Sequence, residues 1–226
     1  MAILQKFLTA ENISYMLQGA AMSIVVAVAS LFFGTILGVL GAAAKMSKNK
    51  VIRAIGAIYV QIIRGTPMML QILFFYLGGP VIWRFIFGRV FTPNPFIVGI
   101  IAISINSGAY STELIRSAIQ SIDKGQWEAS KALGLTYKQM MRLVILPQSF
   151  KRILPPFISE FITLIKDSSL LSSIGAVELL TSAKILGANY YNYIIPLCMA
   201  SVIYLVMTMT ISYFANKIER RLAESD

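Results

Sequence analysis

Two carboxylates, Glu160 and Asp167, lie in a segment that is otherwise mostly apolar. Seven residues are two helical turns, so in a helix both side chains lie on one face, about 10 Å apart along the axis. Ionised groups inside an apolar segment cost free energy unless they face a partner or a hydrated cavity. We therefore predict that both contact the cationic groups of a substrate. The alternative is static ion pairing within the protein. Lys166 would then pair with Asp167. Arg64 or Arg116 would pair with Glu160.

A substrate carboxylate needs hydrogen-bond donors, and two other segments supply them. Asn106 and Tyr110 belong to one polar cluster, and Thr66 precedes Pro67. The proline should break its helix and free backbone groups that can serve a cavity. We predict Asn106, Tyr110 and Thr66 as further substrate contacts. Bridging between helices is the competing interpretation for Asn106, because small polar residues commonly hold transmembrane helices together.

The composition excludes several other kinds of chemistry. The chain has no histidine and a single cysteine, so we expect no metal site and no intramolecular disulfide. The Gly-x-x-x-x-Gly-Lys-Ser/Thr phosphate loop is absent, and no nucleophile–base arrangement supports a membrane-embedded enzyme. We expect a protein that is not itself an enzyme.

Membrane-spanning helices must position these residues. The sequence is 57% hydrophobic and only 13% charged, whereas soluble domains average roughly 25% charged residues. Several uncharged runs are long enough to cross about 30 Å of hydrocarbon as helices. The net charge of +10 comes mainly from three clusters of Lys and Arg, which the positive-inside rule assigns to the cytoplasm. The charge therefore predicts topology, and we expect no nucleic-acid partner.

The three basic clusters obey this rule only if the segment that contains Glu160 and Asp167 also crosses the bilayer. Gly78, Gly79 and Pro80 are expected to end the second span. Pro155 and Pro156 are expected in the first turn of the fourth. The predicted fold is all-α and polytopic, one transmembrane domain over residues 1–226 with the N-terminus outside and the C-terminus cytoplasmic. The predicted spans are about 17–44, 54–79, 95–116, 153–177 and 193–216.

Residues 123–147, between the third and fourth spans, are polar and rich in helix-capping signals. Gly134 suits the left-handed end of one short helix, and Thr136 with Gln139 forms a capping box that begins a second. Leu135 precedes this box as part of a hydrophobic staple. Pro147 is expected to interrupt the second helix. The pattern predicts a compact helical hairpin exposed to the cytoplasm.

This hairpin resembles the EAA loop of ABC importer permeases. Glu128-Ala-Ser-Lys-Ala-Leu-Gly134 is followed, after nine intervening residues, by Val144-Ile-Leu-Pro147. The sequence departs from the family pattern at Ser130, where alanine is usual, and at Val144, where isoleucine is usual.

Two further motifs resemble the polar amino acid branch of the same family. Arg64-Gly-Thr-Pro67, followed by Gln71, is similar to its second-span signature, and Ala109-Tyr-Ser-Thr-Glu113 with Arg116 is similar to its third. The resemblance covers the chain from about residue 14 to its end.

The resemblance implies that the hairpin docks into a groove on a cytoplasmic ATPase. Glu128 and Arg142 would face that ATPase, and Gly134 would shape the turn. An ordinary solvated hairpin is the competing interpretation. The residues expected to couple transport to the ATPase are Glu128, Ala129, Gly134, Leu135, Arg142 and Pro147.

The resemblance also implies location and partners. We expect a multi-pass protein of the prokaryotic cytoplasmic (inner) membrane that binds no cofactor itself, while a partner ATPase dimer uses ATP and Mg²⁺. A second permease subunit, identical or paralogous, and an extracytoplasmic amino-acid-binding protein complete the expected assembly.

The two acidic residues bear on the choice of substrate. Glu160 and Asp167 favour a basic amino acid of the arginine, lysine or histidine type, with glutamine or another neutral polar amino acid as the alternative. The rival from another class is an ion-coupled secondary transporter that uses the same two carboxylates.

Overall fold

The computed structural model describes residues 2–223, and every regular element in that range is helical. A π-helical turn joins α4 to α5 and another joins α8 to α9, while a 3₁₀ segment follows α9. The helices are α1 (Ala2–Phe7), α2 (Ala10–Lys45), α3 (Lys50–Arg64), α4 (Met68–Leu73), α5 (Gly79–Phe87), α6 (Pro95–Gln120), α7 (Lys124–Ala132), α8 (Tyr137–Met140), α9 (Leu146–Asp167), α10 (Leu179–Asn189) and α11 (Ile194–Ala223).

Four helical segments are long and apolar enough to cross a membrane: Ala10–Lys45, Met68–Phe87, Pro95–Gln120 and Ile194–Ile218. A fifth crossing results if Tyr137–Ile174 and Leu179–Asn189, which meet at 48°, form one bent span. The polytopic all-α fold predicted from the sequence is therefore confirmed.

Helices α2 and α6 pack along a stripe of small residues, which lets their backbones approach closely. A Cβ atom added at Gly34 would lie 2.9 Å from the Ser107 side chain, and one at Gly38 would overlap Ser111. The central apolar core lies beside this contact, where α9 and α4 close over α2 and α6. The facing residues are Gly34, Gly38 and Gly41 of α2, and Ser107, Ser111 and Thr112 of α6.

The second predicted span, 54–79, needs correction. α3 ends at Arg64, and a new helix begins at Met68 and continues through Gly79 to Phe87. Gly78, Gly79 and Pro80 therefore do not end the span. The helix stops at Gly88, whose φ of +66° is left-handed.

Proline is accommodated twice by the same local device. A π-helical turn, Phe74–Gly78, ends two residues before Pro80, and another, Met141–Ile145, ends two residues before Pro147. Proline has no N–H, and its ring clashes with the carbonyl four residues earlier. The wider turn relieves both problems. The helix therefore continues through Pro147, and the prediction that this proline interrupts it is wrong.

The fourth predicted span, 153–177, begins much earlier in the structure. Pro155 and Pro156 lie inside α9 and not in its first turn. Each proline removes one intrahelical hydrogen-bond donor, yet the helix continues to Asp167.

The α2–α6 contact gives a direct test of the packing. Gly38→Ala should lower the thermal midpoint of the purified protein, because overpacking of a close contact costs about 1–3 kcal/mol. A second change, Ser111→Gly, should restore part of the loss by removing the overlapping Cβ. Gly79→Ala is the matched control, since no atom lies within 4 Å of its added Cβ. Equal midpoints for Gly38→Ala and Gly79→Ala would contradict the close approach.

Candidate functional site

The break between α3 and α4 is held by the amide of Gln71. This side chain is 7% exposed. Its Nε2 donates to the carbonyl oxygens of Ile63 and Thr66 at 2.7 and 3.1 Å, and to the Thr66 hydroxyl at 2.8 Å. The last carbonyls of a helix have no partner within it, so Gln71 supplies the donor that Pro67 withholds. The sequence prediction that Thr66-Pro67 breaks the helix is confirmed.

Asn106 completes this network from α6. Its Nδ2 donates to Gln71 Oε1 at 3.0 Å, and the side chain is 8% exposed. The Thr66 hydroxyl also donates, to the carbonyl oxygen of Ile62 at 3.0 Å. Both predicted substrate residues are thus engaged in holding the broken helix in this structure. This arrangement agrees with the helix-bridging interpretation of Asn106.

Tyr110 has a different environment. It is 40% exposed, and the guanidinium carbon of Arg64 lies 4.8 Å from the centre of its ring. A guanidinium at this distance over an aromatic face is attracted by the ring quadrupole. The contact orients an exposed cation at the end of α3, immediately before the break. The sequence indicated Arg64 as an ion-pair partner or as part of the Arg-Gly-Thr-Pro motif, but it did not predict the contact with Tyr110.

Glu160 and Asp167 both lie on α9 and are partly exposed. Glu160 lies beside the Ser107 hydroxyl of α6 and close enough to Asp167 for their charges to interact. Among the described side chains, residues 5–218, the direct ion pairs join Glu113 to Lys45 and to Arg116. Neither Glu160 with Arg64 or Arg116 nor Asp167 with Lys166 forms a direct ion pair there, although the Lys166 ammonium is close enough for its charge to act on Asp167.

Ser107 and Tyr110 are one helical turn apart on α6. Their contacts therefore place a guanidinium and a carboxylate at similar depth along α6. Arg64 contacts Tyr110, while Glu160 lies beside Ser107. A cation and a carboxylate at similar depth match the two ends of a zwitterion. Asp167 lies about 10 Å further along α9, by the helical rise of 1.5 Å per residue.

A buried carboxylate that the sequence argument missed stabilises the bend between α9 and α10. Glu178 is 0% exposed and is the N-cap of α10. It accepts hydrogen bonds from the backbone N–H groups of Leu180 and Thr181 at 2.7 and 2.8 Å, and from the Tyr204 hydroxyl at 3.0 Å. These donors compensate for desolvation of the charge. The position just before an apolar helix was the available sequence signal.

The α7–α8 hairpin has the caps predicted from the sequence. Gly134 has φ of +74°. Its N–H donates to Lys131 O at 2.9 Å, and Leu135 N–H donates to Ser130 O at 3.1 Å, which together form a Schellman motif. The capping box of Thr136 with its reciprocal partner is also formed. The two short helices therefore make a rigid turn.

The hairpin presents most of the predicted coupling residues to solvent. Leu135 packs against the apolar cluster that joins the hairpin to α2 and α6, and Arg152 bonds to Ser121, the C-cap residue of α6. The exposed residues are Glu128, Ala129, Gly134, Arg142 and Pro147.

The sequence matches the family described as "Binding-protein-dependent transport system inner membrane component" over residues 34–224. The chain belongs to this family. It is therefore a multi-pass permease subunit of an ABC importer in the cytoplasmic membrane, and it is not itself an enzyme. Importers of this kind work with a separate ATPase and an extracytoplasmic binding protein.

Known relatives narrow the family to its amino acid branch. The "Arginine transport system permease protein" of Bacillus subtilis is 37% identical to this chain, and the alignment covers 96% of this chain and 97% of that protein. A Rickettsia bellii protein named for a glutamine transport system is also 37% identical, with 95% of each chain covered. A solved structure, "Crystal structure of an amino acid ABC transporter with histidines", is 36% identical with a TM-score of 0.86, covering 93% of this chain and 95% of that chain.

The Gln71 network predicts that removing the Gln71 amide lowers the stability of the protein. Gln71→Leu should lower the free energy of unfolding by about 1–3 kcal/mol, because buried carbonyl groups and the Asn106 amide lose their partner. Gln61→Leu is the matched control, since Gln61 is exposed one turn before the break and its side chain makes no hydrogen bond within the described chain. Thermal or denaturant unfolding of both variants would measure the difference. Equal loss in both would rule out the role given to Gln71.

Proposed function

We propose that this chain is the transmembrane subunit of an ATP-driven importer for basic amino acids. The observation that carries this choice is the pair of partly exposed carboxylates, Glu160 and Asp167, on one face of α9 without an ion-pair partner among the described residues. Two carboxylates without a direct ion pair suit a substrate with two cationic groups. A neutral amino acid carries a single ammonium group and needs one of them.

The other end of the substrate would meet α3 and α6. Arg64, held over the Tyr110 ring, supplies a guanidinium for the substrate carboxylate. Glu160 would bind the α-ammonium group, and Asp167 the side-chain cation about 10 Å along the helix. Thr66 and Asn106 would act through Gln71 by holding the break that positions Arg64.

Coupling to the ATPase would use the continuity of the chain between hairpin and site. One continuous helical segment, Tyr137–Ile174, comprises α8, the π turn, α9 and the 3₁₀ segment. This segment includes Arg142 in its first turns and Glu160 further along. A displacement of the hairpin by an ATPase would therefore move the acidic face directly.

The energy source and the remaining partners belong to other chains in this proposal. ATP and Mg²⁺ would be bound by a pair of ATPase subunits that receive Glu128 and the exposed hairpin. A second permease subunit would enclose the polar face of α9, and an extracytoplasmic binding protein would deliver the amino acid. Glutamine is the second candidate substrate, since one relative is named for glutamine transport.

The substrate proposal is tested by removing one charge without changing side-chain size. Glu160→Gln should lower arginine or lysine uptake in proteoliposomes by about 10- to 100-fold, because a charge-assisted hydrogen bond contributes roughly 1.5–3 kcal/mol. Glutamine carries the same α-ammonium group, so any uptake of glutamine should fall by a similar factor. Glu11→Gln, an exposed carboxylate near the start of α2, is the control. Unchanged arginine uptake in Glu160→Gln would refute the assignment.

The coupling proposal is tested at the turn. Gly134→Val should weaken association with the ATPase and reduce amino-acid-stimulated ATP hydrolysis several-fold, because a β-branched residue resists the left-handed conformation. Gly88→Val is matched in strain, since Gly88 has φ of +66° and open space around it, but it lies outside the hairpin. If both variants copurified with the ATPase as well as the wild type, docking through this turn would be wrong.

A further inference from the structure

A basic cavity of about 540 Å³ lies where the last turn of α2, the first turns of α3 and the end of α6 meet. Its residues Lys50 and Arg53 belong to none of the family motifs in the sequence. Four of its lining side chains are cations, and its remaining wall is two alanines and a glutamine. The lining residues are Lys45, Lys50, Arg53, Ala54, Ala57, Arg116 and Gln120.

Only part of this positive charge is neutralised within the described chain. Glu113 pairs with both Lys45 and Arg116, and Arg116 donates from Nε and Nη2 to one carboxylate oxygen, Oε2, at 3.0 and 2.7 Å. Lys50 and Arg53 are exposed and have neither an ion pair nor a side-chain hydrogen bond with the side chains that the structure describes, residues 5–218. Four cations against one carboxylate leave the cavity strongly positive, so its ligand must be anionic.

The cavity lies at the depth of a membrane–water interface. α2 has 36 residues and is about 54 Å long, whereas the hydrocarbon core is about 30 Å thick. Its end therefore emerges beside the headgroups. Ala42 and Ile115, near the cavity, pack in the same cluster as the α7–α8 hairpin, so the cavity opens on the side of the membrane that carries the hairpin.

An exposed apolar stripe begins beside the cavity and follows α3. Its members recur at helical spacing, so they form one face. The cavity walls add the methyl groups of Ala54 and Ala57. A ligand that combines an anionic group with hydrocarbon chains would therefore meet complementary surfaces at both ends. The stripe consists of Val51, Ile55, Ile58 and Ile62.

We propose that this cavity binds the phosphate of an anionic phospholipid headgroup, with acyl chains lying along the α3 stripe. Lys50 and Arg53 supply the contacts to phosphate, while Lys45 and Arg116, fixed by Glu113, form the rear wall. A basic amino acid is repelled by the same charge. The assignment of this leaflet as cytoplasmic rests on the proposed function. Basic cavities between transmembrane helices on that side suit anionic headgroups.

The test measures lipid retention by the assembled transporter with its ATPase. Native mass spectrometry after reconstitution in vesicles of phosphatidylglycerol and phosphatidylcholine should find phosphatidylglycerol retained preferentially. Lys50→Gln with Arg53→Gln should weaken its binding about 30-fold, since each cation near the membrane surface contributes about 1 kcal/mol. Arg84→Gln with Arg89→Gln removes the same charge from exposed residues outside the cavity and the hairpin and should leave retention unchanged.

Several results would overturn the proposal. They are equal retention of phosphatidylcholine, an equal loss in the control variant, and undiminished retention in Lys50→Gln with Arg53→Gln. Full displacement of the lipid by inorganic phosphate would assign the cavity to a free anion. Retention by the permease but not by the complex would assign it to the ATPase surface. Lipid retention is measured without transport, so loss of amino acid uptake with retention intact would refute only the proposed function.

Discussion

The close contact of α2 with α6 is the constraint on which the rest of the structure depends. Apolar burial drives helices together weakly in lipid, so association relies on close packing and interhelical hydrogen bonds. The glycines of α2 provide that closeness and fix α6. From this position α6 also reaches three further helices: Asn106 bonds to Gln71, Tyr110 lies under Arg64, and Ser107 lies beside Glu160. Each part of the candidate substrate site is positioned relative to this one helix.

Irregular backbone is concentrated around that framework, and each irregularity has its own compensation. The break after α3 uses the amide of Gln71, and the bend before α10 uses the carboxylate of Glu178. Two prolines follow π turns that adjust the helical register. Inside a membrane such compensation must come from the protein itself, because water does not reach the backbone. This is why several polar residues that resemble ligand contacts serve the fold.

Some polar side chains are not used by the fold in this way. Arg64, Tyr110, Glu160 and Asp167 are at least partly exposed and bond to no backbone group among the described residues. The segment from Tyr137 to Ile174 is one continuous helix, so part of the hairpin and the acidic face belong to the same element. In the proposed function, Glu160 and Asp167 would therefore move with the hairpin, while Arg64 and Tyr110 would contact the substrate from α3 and α6.

The sequence by itself determined what depends on neighbouring residues. Uncharged runs gave the spans, and Gly134 with the Thr136 capping box gave the hairpin, because caps and turns are set within a few positions. The prediction that Pro80 and Pro147 end their helices was wrong, because a π turn just before each proline lets the helix continue. The tertiary structure alone decided that Asn106 faces Gln71 and that Glu160 has no ion pair within the described chain. Those outcomes depend on side chains brought together from distant segments, whose distances no local pattern encodes.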